Sequence, residues 1–238
     1  MTDLLWHSFL ASFVGSGLSL DRKVAFQFMV SRPIIVAPIV GILLGNPSGG
    51  LSAGILFEFL YIGDLPIGGY LPSHETAITV VSTAIALICA ESLGTGGTIL
   101  PIVAFSALLI IPVGFLFNVG DKISRRYNEK FFHDAEERMM ADHRVIIRKD
   151  LEGITTLFVV TFISIFVSTV AGVLIVSSVY PLLPELVVAK LLPMIWIALL
   201  LIGFAATYNT AYSDKTRLLL CGAVVLSVVF FMVVIHGW

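Results

Sequence analysis

Apolar residues dominate six long runs of the chain: Leu4–Leu20, Thr76–Ala90, Thr98–Asn118, Gly153–Tyr180, Leu186–Tyr208 and Leu218–Trp238. A helix needs about 20 such residues to cross a hydrocarbon core of about 30 Å, so these runs predict membrane-spanning helices. Thr76–Ala90 is short for a span, and its helix is expected to start about one turn earlier. Two more apolar runs, Pro33–Gly45 and Leu51–Ile62, are shorter still, roughly 18–20 Å each as helix. The strong breaker Asn46-Pro47-Ser48-Gly49-Gly50 separates them.

The polar residues fix how these elements are threaded. The long polar segment Asp121–Asp150 holds Lys122, Arg125, Arg126, Lys130, Arg138, Arg144, Arg148 and Lys149, eight of the fourteen basic residues. Basic residues favour the cytoplasmic side, so this segment is placed there. Walking forward from it, Pro181–Glu185 turns outside, Lys215 and Arg217 return inside, and His236–Trp238 ends outside. Walking backward, Glu91–Gly97 is an external loop without basic residues, and Gly63–Glu75 starts from the cytoplasmic face. Arg22, Lys23 and Arg32 are cytoplasmic as well, which leaves the N-terminus outside. Pro33–Gly45 and Leu51–Ile62 must then enter and leave by one face. Parity and length together predict a re-entrant hairpin over residues 33–62.

The fold expected is therefore all-α, a polytopic membrane protein of about six spans plus that hairpin and a cytoplasmic amphipathic helix at about 121–150. Ile123, Tyr127, Phe131 and Phe132 recur there at helical spacing, as in a helix lying on a membrane surface with its basic residues near the headgroups. A solvated linker helix is the plainer alternative. The segment divides the chain into an N-terminal membrane half (1–118), the cytoplasmic stretch (119–150) and a C-terminal membrane half (151–238), an arrangement that fits the internal halves of many transporters. Asp3 stands where a cleaved signal would carry Lys or Arg, so Leu4–Leu20 is expected to be a retained span.

Composition supports the same class. The chain is 58% hydrophobic and only 13% charged, where soluble domains carry roughly 25% charged residues. A net charge of −2 gives no basic field for nucleic acid. Cys89 and Cys221 both sit in apolar runs and read as small buried residues, with no disulfide framework. His7, His133, His143 and His236 show no metal-ligand spacing, and His74 with Glu75 and Glu58 offers too few nitrogen ligands, so no metal site is expected. No phosphate-cradling or dinucleotide motif is present, and no cofactor is expected.

The candidate chemistry lies in Gly54–Thr76. Glu58 sits in the middle of an apolar run; Gly63, Pro66, Gly68, Gly69 and Pro72 then break the backbone, and Ser73, His74, Glu75 and Thr76 follow. A carboxylate at membrane depth costs about 3 kcal/mol on insertion scales, so it faces a cavity or a partner. Irregular backbone at that depth is buried in protein or lines a water-filled site. The stretch reads as a pathway or binding site.

Arg32-Pro33, Leu44-Gly45-Asn46, Gly54, Glu58, Gly63, Pro66, Gly68-Gly69, Pro72 and Glu75-Thr76 together resemble the signature region of a family. It is the IIC membrane subunit of the mannose/fructose/sorbose class of the bacterial phosphotransferase system. The likeness is close from Arg32 to Thr76. The mid-chain cytoplasmic helix and the Gly203–Asn209 stretch add weaker support. The resemblance implies a multi-pass protein of the bacterial cytoplasmic membrane that forms a sugar-translocating, oligomeric unit with a IID membrane subunit. IIA and IIB phosphocarriers would relay phosphate from phosphoenolpyruvate, and IIB would phosphorylate the sugar. No phosphorylated or catalytic residue is implied on this chain. The sugar site is implied on the hairpin and the loop after it.

Sugars are neutral polyols, recognised by a few converging donors and acceptors. Glu58 is the leading candidate for substrate contact, with pairing to Arg32 or capping of a backbone break as its structural alternative. Glu75 can contact sugar or cap the next helix. Ser73, His74 and the backbone at Gly69 can add hydrogen bonds, Asp64 is more simply a turn residue, and Asn209 can bond across helices. Arg32 reads most simply as an anchor reaching the cytoplasmic interface. Family members often carry Gln-x-His just before Arg-Pro, where this chain has Met29 and Ser31, and Gln27 is displaced by two residues. The second Pro and the Asp or Asn of the loop are replaced by Ser73 and His74. Ser31 is retained as a substrate-site candidate, and mannose itself is not singled out. The rival readings are an ion-coupled transporter using Glu58, His74 and Glu75 as a proton relay, and a non-transporting membrane dock.

Overall fold

A computed structural model describes residues 2–22, 28–63, 73–94, 99–138 and 144–210. They form seven α-helices and no strand: α1 (Thr2–Leu20), α2 (Pro33–Leu43), α3 (Pro47–Tyr61), α4 (Glu75–Ser92), α5 (Leu100–Arg138), α6 (Arg144–Val179) and α7 (Leu192–Thr210). A π-helical turn, Val187–Leu191, leads into α7. Glu75–Ser92, Leu100–Glu129, Asp150–Leu182 and Val187–Tyr208 are each long and apolar enough to cross a membrane. The chain is an all-α polytopic membrane protein. The expected span Leu218–Trp238 lies outside the described residues.

α4 is the axis of the bundle. Every residue from Glu75 to Cys89 is buried, so the helix touches protein on all sides. Its small and β-branched residues allow this, because neighbouring backbones can approach closely and still interlock. Glycines of the surrounding helices receive its side chains: Gly15 of α1 faces Val80, Gly114 of α5 faces Ile78, and Gly172 of α6 faces Ile85. α1 is less apolar than the four spans, and its composition follows from its position. Ser8, Ala11, Ser12, Gly15, Ser16 and Ser19 form its buried face, while Trp6, Phe9 and Phe13 lie outward and stack with one another. Phe9 and Phe13 meet Phe162 and Phe158 edge-on, which locks α1 antiparallel to α6.

α2 and α3 form the short hairpin expected from the sequence. Pro33 and Pro47 occupy their first turns, where a missing N–H costs nothing. Gly45 turns the chain at φ +74°, and the Asn46 side chain caps α3 by accepting from Gly49 N at 2.9 Å. The two helices touch backbone to backbone: a Cβ on Gly50 would lie 2.5 Å from the Ala37 carbonyl oxygen, and one on Gly41 2.9 Å from Gly50 Cα. At the tip, Gly49 rests against Leu87 and Ile99. Leu87 is about 18 Å along α4 from Glu75, so the hairpin follows much of that helix.

The described residues of the polar segment at 121–150 are helical, as expected, but they belong to two long helices. Residues 121–138 continue α5 and residues 144–150 begin α6. At 39 and 36 residues these helices run well beyond the roughly 20 that a span requires.

Candidate functional site

Three helix ends converge on Arg32. The residue before a proline is driven to extended backbone, and Arg32 (φ −67°, ψ 142°) accordingly stands as the N-cap of α2 with its side chain free to turn inward. Its Nη1 lies 3.5 Å from Glu75 Oε2 at the start of α4 and donates to the Tyr61 carbonyl oxygen at 3.5 Å at the end of α3. Its Nε lies 4.0 Å from Glu58 Oε1. The side chains of Arg32, Glu58 and Glu75 are only 17%, 19% and 7% exposed, so the guanidinium is an internal counter-ion instead of an anchor reaching for the interface.

Glu58 has a second task. Its Oε2 accepts from Ile34 N at 3.2 Å, in the first turn of α2, where unpaired N–H groups and the helix dipole favour a carboxylate. The hairpin is thus closed by one side chain of α3 bound to the start of α2. Two carboxylates share a single guanidinium here, which leaves acceptor capacity for hydroxyl donors.

His74 points another way. Its Nδ1 accepts from Ala77 N at 3.2 Å and so caps α4, while the imidazole is almost wholly buried. This cap requires Nδ1 without a proton, which in the neutral ring places the proton on Nε2. Nε2 lies 3.7 Å from Oδ1 of Asp121 on α5, and the ring packs edge-on against Phe117. A cavity of about 10 Å³ adjoins the pair, walled also by Thr161 and Ser164 of α6. That volume is close to the least that holds one water and far below that of a sugar.

Of the residues singled out in the sequence, the structure brings Glu58, Glu75 and the Ser31 backbone together around Arg32. Ser31 is buried, and its carbonyl oxygen accepts from Thr76 Oγ1 at 2.9 Å. Ser73 is half-buried beside them in the chain, and His74 faces the interior of α4, α5 and α6. Asp64 and Gly69 lie outside the described residues, as does the side chain of Asn209, whose backbone is in the last turn of α7. Sequence reasoning missed two carboxylates. Asp121 looked like one more charge of the polar segment. Asp21 was hidden beside Arg22 and Lys23 at the end of a span.

The chain matches the family described as the PTS system sorbose-specific IIC component over residues 5–236. Among individual proteins, it is 28% identical over 102 residues to the PTS system sorbose-specific EIIC component of Lacticaseibacillus casei, covering 42% of this chain and 35% of that protein. It is 30% identical over 105 residues to the PTS system mannose-specific EIIC component of Escherichia coli (strain K12), covering 44% and 38%. The matched stretches thus span little more than a third of these relatives. Two solved structures share the fold. One, titled a structure of a membrane protein, superposes with a TM-score of 0.69 at 17% identity, covering 100% of this chain and 97% of its own. The other, the cryoEM structure of the mannose transporter ManYZ with microcin E492, gives 0.52 at 20%, covering 100% and 96%.

Proposed function

The chain belongs to the sorbose-specific IIC family of the phosphotransferase system, and from that premise we propose that it carries a hexose-type sugar across the membrane while a IIB partner phosphorylates it. The observation that carries the reading is the Arg32–Glu58–Glu75 cluster, which joins the start of α2, the end of α3 and the start of α4. Such a cluster presents fixed acceptors at a point where the hairpin and the central helix meet. Neutral polyols are bound by convergent acceptors of this kind. In this reading Glu58 and Glu75 accept sugar hydroxyls, with further contacts from Ser73, Asp64 and the backbone at Gly69. A IID subunit completes the membrane unit, and IIA and IIB supply phosphate. The basic segment 119–150 faces the cytoplasm and both termini face outside.

Uptake of radiolabelled hexose by cells expressing the full set of components tests the proposal. The expected result is phosphorylated sugar inside the cell and dependence on phosphoenolpyruvate. Uptake that ignores phosphoenolpyruvate and collapses with the proton gradient would instead favour ion-coupled transport. The buried His74–Asp121 pair is the observation on the side of that second reading.

A further inference from the structure

We infer that Asp21 is the positioning residue of this site: its carboxylate sets the conformation of residues 28–31 and thereby aims Arg32 at Glu58 and Glu75. The inference rests on the functional reading above for what Arg32 does, but its geometry stands independently.

Asp21 follows directly on α1 and is buried. Both of its oxygens are in use. Oδ1 accepts from Phe28 N at 2.8 Å, and Oδ2 accepts from Val30 N at 2.8 Å and Ser31 N at 3.4 Å. Three backbone N–H groups converging on one carboxylate form a charge-assisted set, the stronger class of hydrogen bond. The backbone adopts an unfavourable shape to make them. Met29 has φ +62°, and among the described residues no other residue except glycine has a positive φ. A side chain there is strained and persists only where its surroundings over-determine it. The bonds from Phe28 and Val30 on either side supply that constraint.

The segment is then tied from its far side. Arg32 N donates to the Met29 carbonyl oxygen at 3.2 Å, which closes a turn, and Thr76 Oγ1 donates to the Ser31 carbonyl oxygen at 2.9 Å. Asp21 thus grips the N–H groups of the segment and Thr76 grips a carbonyl. Arg32 comes directly after this doubly held turn and has little freedom in where its side chain starts. A carboxylate is the side chain suited to the task. Asparagine at the same place keeps one acceptor oxygen but turns an NH2 group toward the other N–H donors.

Asp21→Asn, Thr76→Val and Thr76→Ser test the inference in the full-length chain assembled with its membrane partner. Two readouts serve: amide hydrogen exchange resolved by peptide, and binding of radiolabelled D-mannose and L-sorbose. Asp21→Asn is expected to speed exchange over residues 28–32 by about tenfold, with α4 unchanged, and to weaken sugar binding by about tenfold. Thr76→Val should do the same more mildly, and Thr76→Ser, which keeps the hydroxyl, should behave as wild type. Unchanged exchange over residues 28–32 in Asp21→Asn would overturn the inference. So would acceleration spread evenly over the whole bundle with a lowered melting temperature, because that marks a general structural role. If the wild-type complex binds neither sugar, the functional reading is what suffers, and the exchange pattern alone still decides for or against the tether.

Discussion

Arg32 holds the charge balance of the site, since it is the guanidinium set between Glu58 and Glu75. Removing it leaves two carboxylates close together in a partly buried place. Arg32→Ala should therefore destabilise the protein by about 2 kcal/mol, between the values for surface and fully buried pairs. Arg32→Lys should recover only part of this, because a single ammonium does not reproduce the planar fork that reaches Glu58, Glu75 and the Tyr61 carbonyl. Thermal unfolding of the purified complex in detergent measures both. Glu58→Gln separates binding from stability. It keeps an oxygen for Ile34 N and the side-chain volume but loses the charge, so sugar affinity should fall by about tenfold with a smaller change in melting temperature than Arg32→Ala. Unchanged affinity would remove Glu58 from the site. At His74 the cap gives the prediction. His74→Ala should cost about 1 kcal/mol, and His74→Asn, a good N-cap, should restore most of it. Glu58 was legible in the sequence because a charge in an apolar run is costly enough to need a reason. The role of Asp21 was not, because it depends on partners as many as ten residues away and on a left-handed Met29 that no local pattern announces. The direction of His74 was equally hidden. One position in a loop says nothing about whether its ring turns toward substrate or toward Asp121.

Between residues and bundle stands the hairpin, whose two helices are separated by no more than their own backbones. Run length and the Asn46–Gly50 breaker were enough to predict two short helices, since each run as helix is shorter than the hydrocarbon core of a bilayer. What the sequence did not reveal is that Gly41, Gly50 and Gly54 lie along the contact. Glycines in a helix usually cost stability, and only the partner helix explains them. Gly50→Ala is expected to destabilise by about 1–3 kcal/mol, because its Cβ would meet the rigid Ala37 carbonyl and Gly41 Cα and force the helices apart. Gly17→Ala on α1 is the matching control. Nothing lies within 4 Å of its Cβ, so the change should be neutral or stabilising by up to about 1 kcal/mol. Comparable gains at both positions would mean that helix propensity, not close approach, governs the glycines. The polar segment teaches the complementary lesson. Its helical spacing was visible, yet periodicity does not reveal whether a helix is separate or continues a span, and here α5 and α6 simply run on.

At the scale of the molecule, one buried helix organises the rest, and the charged groups gather at one of its ends. Glu75 and His74 mark that end of α4, and Asp121 lies where α5 passes from its apolar stretch into the basic one. The cluster and the basic residues that follow Asp121 therefore belong to the same side of the bundle. The hairpin opens on this side, at Arg32 and Tyr61, and its tip points toward Leu87. In the orientation proposed from the distribution of basic residues, this side faces the cytoplasm. Single cysteines placed in a background lacking Cys89 and Cys221 test the assignment with a membrane-impermeant maleimide. Ile123→Cys, on an exposed part of α5 just past Asp121, should react in inside-out vesicles and not in right-side-out ones. Ser48→Cys, at the exposed hairpin tip, should stay unreactive from outside if the hairpin dips into the membrane and returns. Labelling of Ser48→Cys from outside as complete as that of a cysteine placed at Leu93, just past the end of α4 and proposed to face outside, would make α2 and α3 tilted full spans. That result would keep the cluster in place but change its setting, because under the proposed function a hairpin reaching both faces would line the whole path of the sugar and not only one end of it.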